Sequence, residues 1–177
     1  MLHDVCVPNF SFIQPTETPV ELSNVANIKK SHSNKNLVDR PKDFMKVVHC
    51  DIGYGDTKAV GNGARYCMIF VDRVTRYNWI YPLKSLTHTS LKAVLSAWSV
   101  DAGQFPKRLY TDFDCKLLEG PTAAYLRENK VILRGSPGGR QNQNGLVEQA
   151  WQSITGMGRA FITDMQMPRQ YWYWALR

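Results

Sequence analysis

The spacing of apolar and polar positions changes period several times along this chain, and each change marks an element. Residues 46–51, KVVHCD, are a short apolar run that reads as a buried strand ending in the acid Asp51, with Ile52 continuing past it. Glycines at 53, 55, 61 and 63 then read as a loose connection. A second strand is predicted over 65–72 (RYCMIFVD) and a third over 76–83 (RYNWIYPL), with Val74-Thr75 between them as a hairpin turn. The third strand sets Tyr77, Trp79 and Tyr81 at alternate positions, so one face is aromatic. Packing against a helix accounts for such a face, and so does stacking on bases. Over 85–103 the period lengthens. Leu91, Val94, Leu95 and Trp98 recur at helical spacing, and Gly103 follows as a stop.

A fourth strand, 108–111, delivers Asp112 at its end. Pro121 opens a short helix reaching Asn129, and 131–133 make a fifth strand. A loop rich in Gly, Pro, Gln and Asn, 135–145, leads to a long amphipathic helix that Asn144 caps and that ends near Thr163. Leu146, Val147, Ala150, Trp151, Ile154, Met157 and Phe161 form its apolar stripe. Glu148, Gln152, Thr155 and Arg159 recur on a polar face beside it. Gly156 and Gly158 each cost ~1 kcal/mol relative to Ala inside a helix, which predicts close packing or a kink. Pro168 starts a last helix over 169–177. This order predicts an α/β domain over 44–177, with a mixed five-stranded sheet and helices on both faces. Residues 1–43 lack periodicity and are rich in Pro, Asn, Ser and Thr, which reads as an irregular lead-in with few stable elements.

Composition narrows the picture. With 177 residues, 44% of them apolar, the chain can bury one core. No apolar run approaches the roughly 20 residues of a membrane span, and no secretory leader is visible at the N-terminus. Cys6, Cys50, Cys67 and Cys115 are too scattered for a disulfide framework and read as reduced thiols. His3, Cys6 and His32 do not make a tetrahedral zinc set. Net charge is +7 and the isoelectric point about 9.3. From Lys130 onward six basic residues face only Glu148 and Asp164, a balance that suits a polyanion.

The chemistry lies in three acids on separate elements: Asp51, Asp112 and Glu148. Asp112 and Glu148 enclose a 35-residue gap. Mg²⁺ takes hard oxygen ligands, and two ions about 4 Å apart must share at least one. Three carboxylates are therefore what a two-metal phosphoryl-transfer site requires. Asp72 also ends a strand, but beside Arg73 at a hairpin it reads as a turn contact or ion pair. His49 reads as a strand residue.

This triad, with its gap, resembles that of retroviral-type integrases and DDE transposases. Gln143-Asn144-Gly145 before the glutamate resembles the Ty1/copia-type retrotransposon integrase core. The resemblance covers roughly 42–177, including VDRVTRYNWIYPLKS and MPRQYWYWA. The chain departs from the pattern at Phe113-Asp114-Cys115, where Asn-Gly-Gly is usual after the aspartate, and at Gln149, where a basic residue is usual.

The resemblance implies an RNase H-like fold and metal-dependent polynucleotidyl transfer that inserts element cDNA into target DNA. It implies two Mg²⁺ or Mn²⁺ ions, with Asp51 bridging both, Asp112 holding one and Glu148 the other. Arg140, Gln143, Asn144, Gln152 and Arg159 would contact double-stranded DNA. A homo-oligomer acting in the nucleus, after a cytoplasmic particle stage, is also implied. Integrases of this type carry a zinc module upstream, so the chain reads as a fragment without that module whose domain continues past Arg177. Two rival readings stay open. One is an RNase H-like nuclease, with Asp114 as a candidate fourth acid; the other is a decayed integrase that binds DNA without turnover.

Overall fold

The computed structural model describes residues 9–10, 42–112, 116–136 and 145–177. It is an α/β unit built on a mixed sheet of strands β2 (Val47–Gly55), β3 (Tyr66–Asp72), β4 (Asn78–Leu83), β5 (Arg108–Asp112) and β6 (Ile132–Ser136). The spatial order is β4-β3-β2-β5-β6. β2–β3 and β3–β4 pair antiparallel, whereas β2–β5 and β5–β6 pair parallel. The predicted five strands are all present. The lead-in adds one more: β1, Asn9–Phe10, pairs parallel with Tyr54 and Gly55 of β2.

Helices cover both faces, as the pattern of elements predicts. β3 sorts its side chains by alternation. Met68 and Phe70 enter one core with Leu91, Leu95 and Trp98 of α1 (His88–Asp101) and Leu126 of α2 (Gly120–Glu128). Cys67, Ile69 and Val71 enter the other, with Val147, Trp151 and Ile154 of α3 (Gly145–Asp164) and Trp172 of α4 (Trp172–Leu176). The Phe70 ring stacks on Trp98 at 3.8 Å between centroids. Cys50 and Cys67 are buried in different cores, on opposite faces of the sheet. Cys6 and Cys115 lie outside the described residues.

Three features differ from the sequence pattern. β2 does not stop at Asp51 but continues four residues to Gly55, because Ile52, Gly53 and Tyr54 pair with Met68, Cys67 and Tyr66. Gly55 is no mere connector: a Cβ there would lie 2.4 Å from Cε2 of Trp172. The last helix is split into a 3₁₀ turn, Arg169–Tyr171, and the short α4. The third concerns α3. Met157, Phe161 and also Met165 are exposed, so the buried stripe is narrower than predicted. Of the two helix glycines, Gly158 accounts for close packing, since its Cβ would meet Leu176 at 2.9 Å. Gly156 faces open space.

Tryptophan indoles fasten the C-terminal segment. Trp172 Nε1 donates to the Thr57 carbonyl at 2.8 Å and Trp174 Nε1 to the Val60 carbonyl at 2.9 Å. No helix among the described residues is long and apolar enough to cross a membrane.

Candidate functional site

Strand alternation places the acids. On β2, Val48, Cys50 and Ile52 belong to the core beneath α1. His49 and Asp51 therefore face the α3 side. β5 runs parallel to β2 in the register His49↔Tyr110, and the His49 ring stacks on Tyr110 with centroids 5.1 Å apart. Continuing that register by two residues sets Asp112 beside Asp51 on the same face.

Glu148 arrives from the other layer. It sits in the first turn of α3 and is exposed. Three residues on, one turn further along the same helix face, the Trp151 indole Nε1 donates to Asp51 Oδ2 at 2.9 Å. The other Asp51 oxygen, Oδ1, accepts from the Ile52 backbone N–H at 2.8 Å. Two neutral donors thus fix the carboxylate's orientation. Trp151 was legible only as an apolar stripe residue, yet it ties the α3 layer to the central acid.

The electrostatics tie the three acids together. Asp51 is 9% exposed. Its carboxyl is pushed up to about 7, first by burial and then by the negative charge of Asp112. The Ile52 N–H and the Trp151 indole pull it down, and Glu148 adds a smaller upward push. Asp51 thus feels both other members of the set. Among the described residues, however, no three His, Cys, Asp or Glu side chains are gathered closely enough to form a metal-binding group as they stand.

The remaining candidates divide. Gln152 is exposed on α3. Arg159 is half-buried, with its Nε buried and without a hydrogen-bond partner among the described residues. Thr155 corrects the predicted polar face: it is 7% exposed, and its hydroxyl folds back onto the Trp151 carbonyl at 2.7 Å. Arg140, Gln143, Asn144 and Asp114 lie outside the described residues, as do His3, Cys6 and His32. Asp72 is a turn clamp. Its Oδ1 accepts from the Met45 N–H, and its Oδ2 from the Val74 and Thr75 N–H groups and the Thr75 hydroxyl. His49 is buried, and burial followed by the charges of Arg73 and Arg76 lowers it to about 4.

No protein-family model matches the chain. Two curated proteins of Arabidopsis thaliana do. The retrovirus-related Pol polyprotein from transposon RE2 is 28% identical over 155 residues, 84% of this chain. The retrovirus-related Pol polyprotein from transposon RE1 is 25% identical over 171 residues, 95% of it. The chain is similar to a stretch of transposon Pol polyprotein. It spans about a tenth of the length of these relatives, 10% and 11%. The similarity runs over nearly all of the chain, so it takes in the segments that carry Asp51, Asp112 and Glu148.

Proposed function

We propose that the chain is the catalytic core of a retrotransposon integrase, with an RNase H-like fold, transferring polynucleotide strands at Asp51, Asp112 and Glu148. The observation that carries this reading is the electrostatic coupling of Asp51 to both other acids. Similarity to transposon Pol polyproteins supports the same assignment, and so does the central placement of β2 between antiparallel and parallel neighbours.

The donor set fits a hard divalent cation in its chemistry. A carboxyl held at about 7 is short of positive charge, and a cation relieves that as a proton does. Asp51 would hold both ions, Asp112 one and Glu148 the other. When bound, Mg²⁺ or Mn²⁺ there would activate an attacking 3′-hydroxyl or water and stabilise the leaving oxygen. The chain's own residues supply the rest. Trp151 and Ile52 N–H keep Asp51 from rotating, and the sheet fixes Asp112 beside it. Glu148, on the exposed first turn of α3, would be the third ligand, brought from the other layer. Gln152 and Arg159, with Arg140, Gln143 and Asn144, are the proposed contacts to the DNA backbone, and the working form is proposed to be a nuclear homo-oligomer.

The test is disintegration or strand transfer with Mn²⁺ on the wild type and Glu148→Gln. A second reading, a DNA-binding relic without turnover, draws on the two donors already seated on Asp51. It predicts DNA binding with no strand transfer in either protein.

A further inference from the structure

Parallel β2, β5 and β6 begin at one end of the sheet, and antiparallel β3 and β4 turn there. Asp51 lies about 15 Å away along β2. That far end is basic. Lys42, Arg73, Arg76, Lys107 and Arg108 are exposed there, and none forms an ion pair among the described residues. Backbone bonds from Lys107 to Met45 and from Arg108 to Lys46 hold the strand starts together. Of the acids on these segments, Asp43 is taken up by Lys46 at 3.2 Å and Asp72 is buried in its turn.

The same end carries aromatic surface. Trp79 and Tyr81 pack partly against the α1 core, but Tyr77 is 59% exposed and Phe44 44% exposed. Both rings meet Trp79, Tyr77 at 4.7 Å and Phe44 at 6.1 Å between centroids. Asp72 joins the two segments by accepting from Met45 on one side and from Val74 and Thr75 on the other. The two segments that carry these rings and cations are therefore tied together before any ligand arrives. Exposed rings among unpaired cations match a strand whose bases are unstacked and whose phosphates lie alongside. A duplex hides its base faces, and an acidic peptide offers nothing to stack.

We infer that this end of the sheet is a second nucleic-acid surface, separate from the acid site, which holds single-stranded polynucleotide by stacking bases on Phe44 and Tyr77 and pairing phosphates with Arg73 and Arg76. Anisotropy of labelled oligo(dT), a duplex of equal length, and polyglutamate as competitor tests it on the full chain. Phe44→Leu/Tyr77→Leu keeps apolar bulk and removes the rings, so affinity for oligo(dT) falls about tenfold or more. Arg73→Ala/Arg76→Ala makes the salt dependence shallower by about 1.4 in log–log slope. The ring variant keeps the wild-type rise in melting temperature with Mn²⁺, which reads the acid site, so this surface and the acid site are judged separately. Unchanged affinity in the ring variant overturns the inference. So does a loss of duplex affinity in the ring variant as large as its loss for oligo(dT), or displacement by polyglutamate as effective as by oligo(dT).

Discussion

Replacing Asp51 by Asn removes a charge that the fold holds at a cost. The unfolded carboxyl titrates near 3.8 and the folded one near 7. At ~1.4 kcal/mol for each pH unit, the ionised group costs about 4 kcal/mol of stability above pH 7. The folded state binds this proton more tightly than the unfolded state does, so the cost shrinks as pH falls below 7 and is gone below 3.8. His49 acts in the opposite sense. Its proton affinity is lowered from 6.5 to about 4 by burial and by Arg73 and Arg76, so acidification from 6.5 to 4 loses about 3 kcal/mol.

In the wild type the two nearly cancel between pH 4 and 6.5, and stability drops above that window. The substituted side chain loses the charge but turns an amide NH₂ toward one donor, Trp151 Nε1 or Ile52 N–H, at a cost of about 1–3 kcal/mol. Asp51→Asn is therefore more stable than wild type at pH 8 by about 2 kcal/mol, or about 4–8 °C in melting temperature. It also loses about 3 kcal/mol on going from pH 6.5 to 4, where wild type stays flat. Thermal melts in EDTA across that range check both. A variant that melts below wild type at pH 8, or that follows the wild-type pH profile, refutes the reasoning.

The other predictions are shorter. Mg²⁺ or Mn²⁺ raises the melting temperature of wild type at pH 8 and leaves Asp51→Asn/Asp112→Asn unmoved, because relief of carboxylate repulsion requires the carboxylates; equal shifts in both contradict it. Gly55→Ala drives a methyl into Trp172 and destabilises by about 1–3 kcal/mol in denaturant melts, whereas Gly156→Ala stabilises by up to ~1 kcal/mol. Arg140→Ala and Arg159→Ala weaken binding to any duplex sequence and flatten its salt dependence by about 1 each. Unchanged slopes place the duplex elsewhere.

Much of the fold was written in local pattern. The continuous apolar run RYCMIFVD and the stripe Leu91, Val94, Leu95, Trp98 announce their elements, because a central strand buries both faces and a surface helix one. What escaped the pattern depends on contacts between distant segments. Nothing near Gly53 or Gly55 in sequence says that β3 pairs alongside and that Trp172 lies against the backbone there. Met157 and Phe161 are apolar at the right spacing, but α3 turns only one side to the sheet and they fall outside it. At the site, the three acids could be named from order and spacing. The bond from Trp151 to Asp51 spans a hundred residues and leaves no local mark, except that Trp151 stands one turn beyond Glu148. Thr155 was misplaced because a threonine can satisfy its hydroxyl on its own helix and turn inward.

The central claim is that Glu148 acts in strand transfer and is not merely a solvated residue in the first turn of α3. Glu148→Gln keeps the side chain's size and removes its charge. A residue that only complements the helix dipole would lose about 0.3–1 kcal/mol of stability and leave activity intact. Strand transfer with Mn²⁺ by wild type, Glu148→Gln and the neighbouring-acid control Asp114→Asn is the most direct measurement. The account predicts a folded Glu148→Gln protein whose activity falls by orders of magnitude, with most activity retained in Asp114→Asn. An active Glu148→Gln beside an inactive Asp114→Asn would contradict it, and would assign the chemistry to a different set of acids.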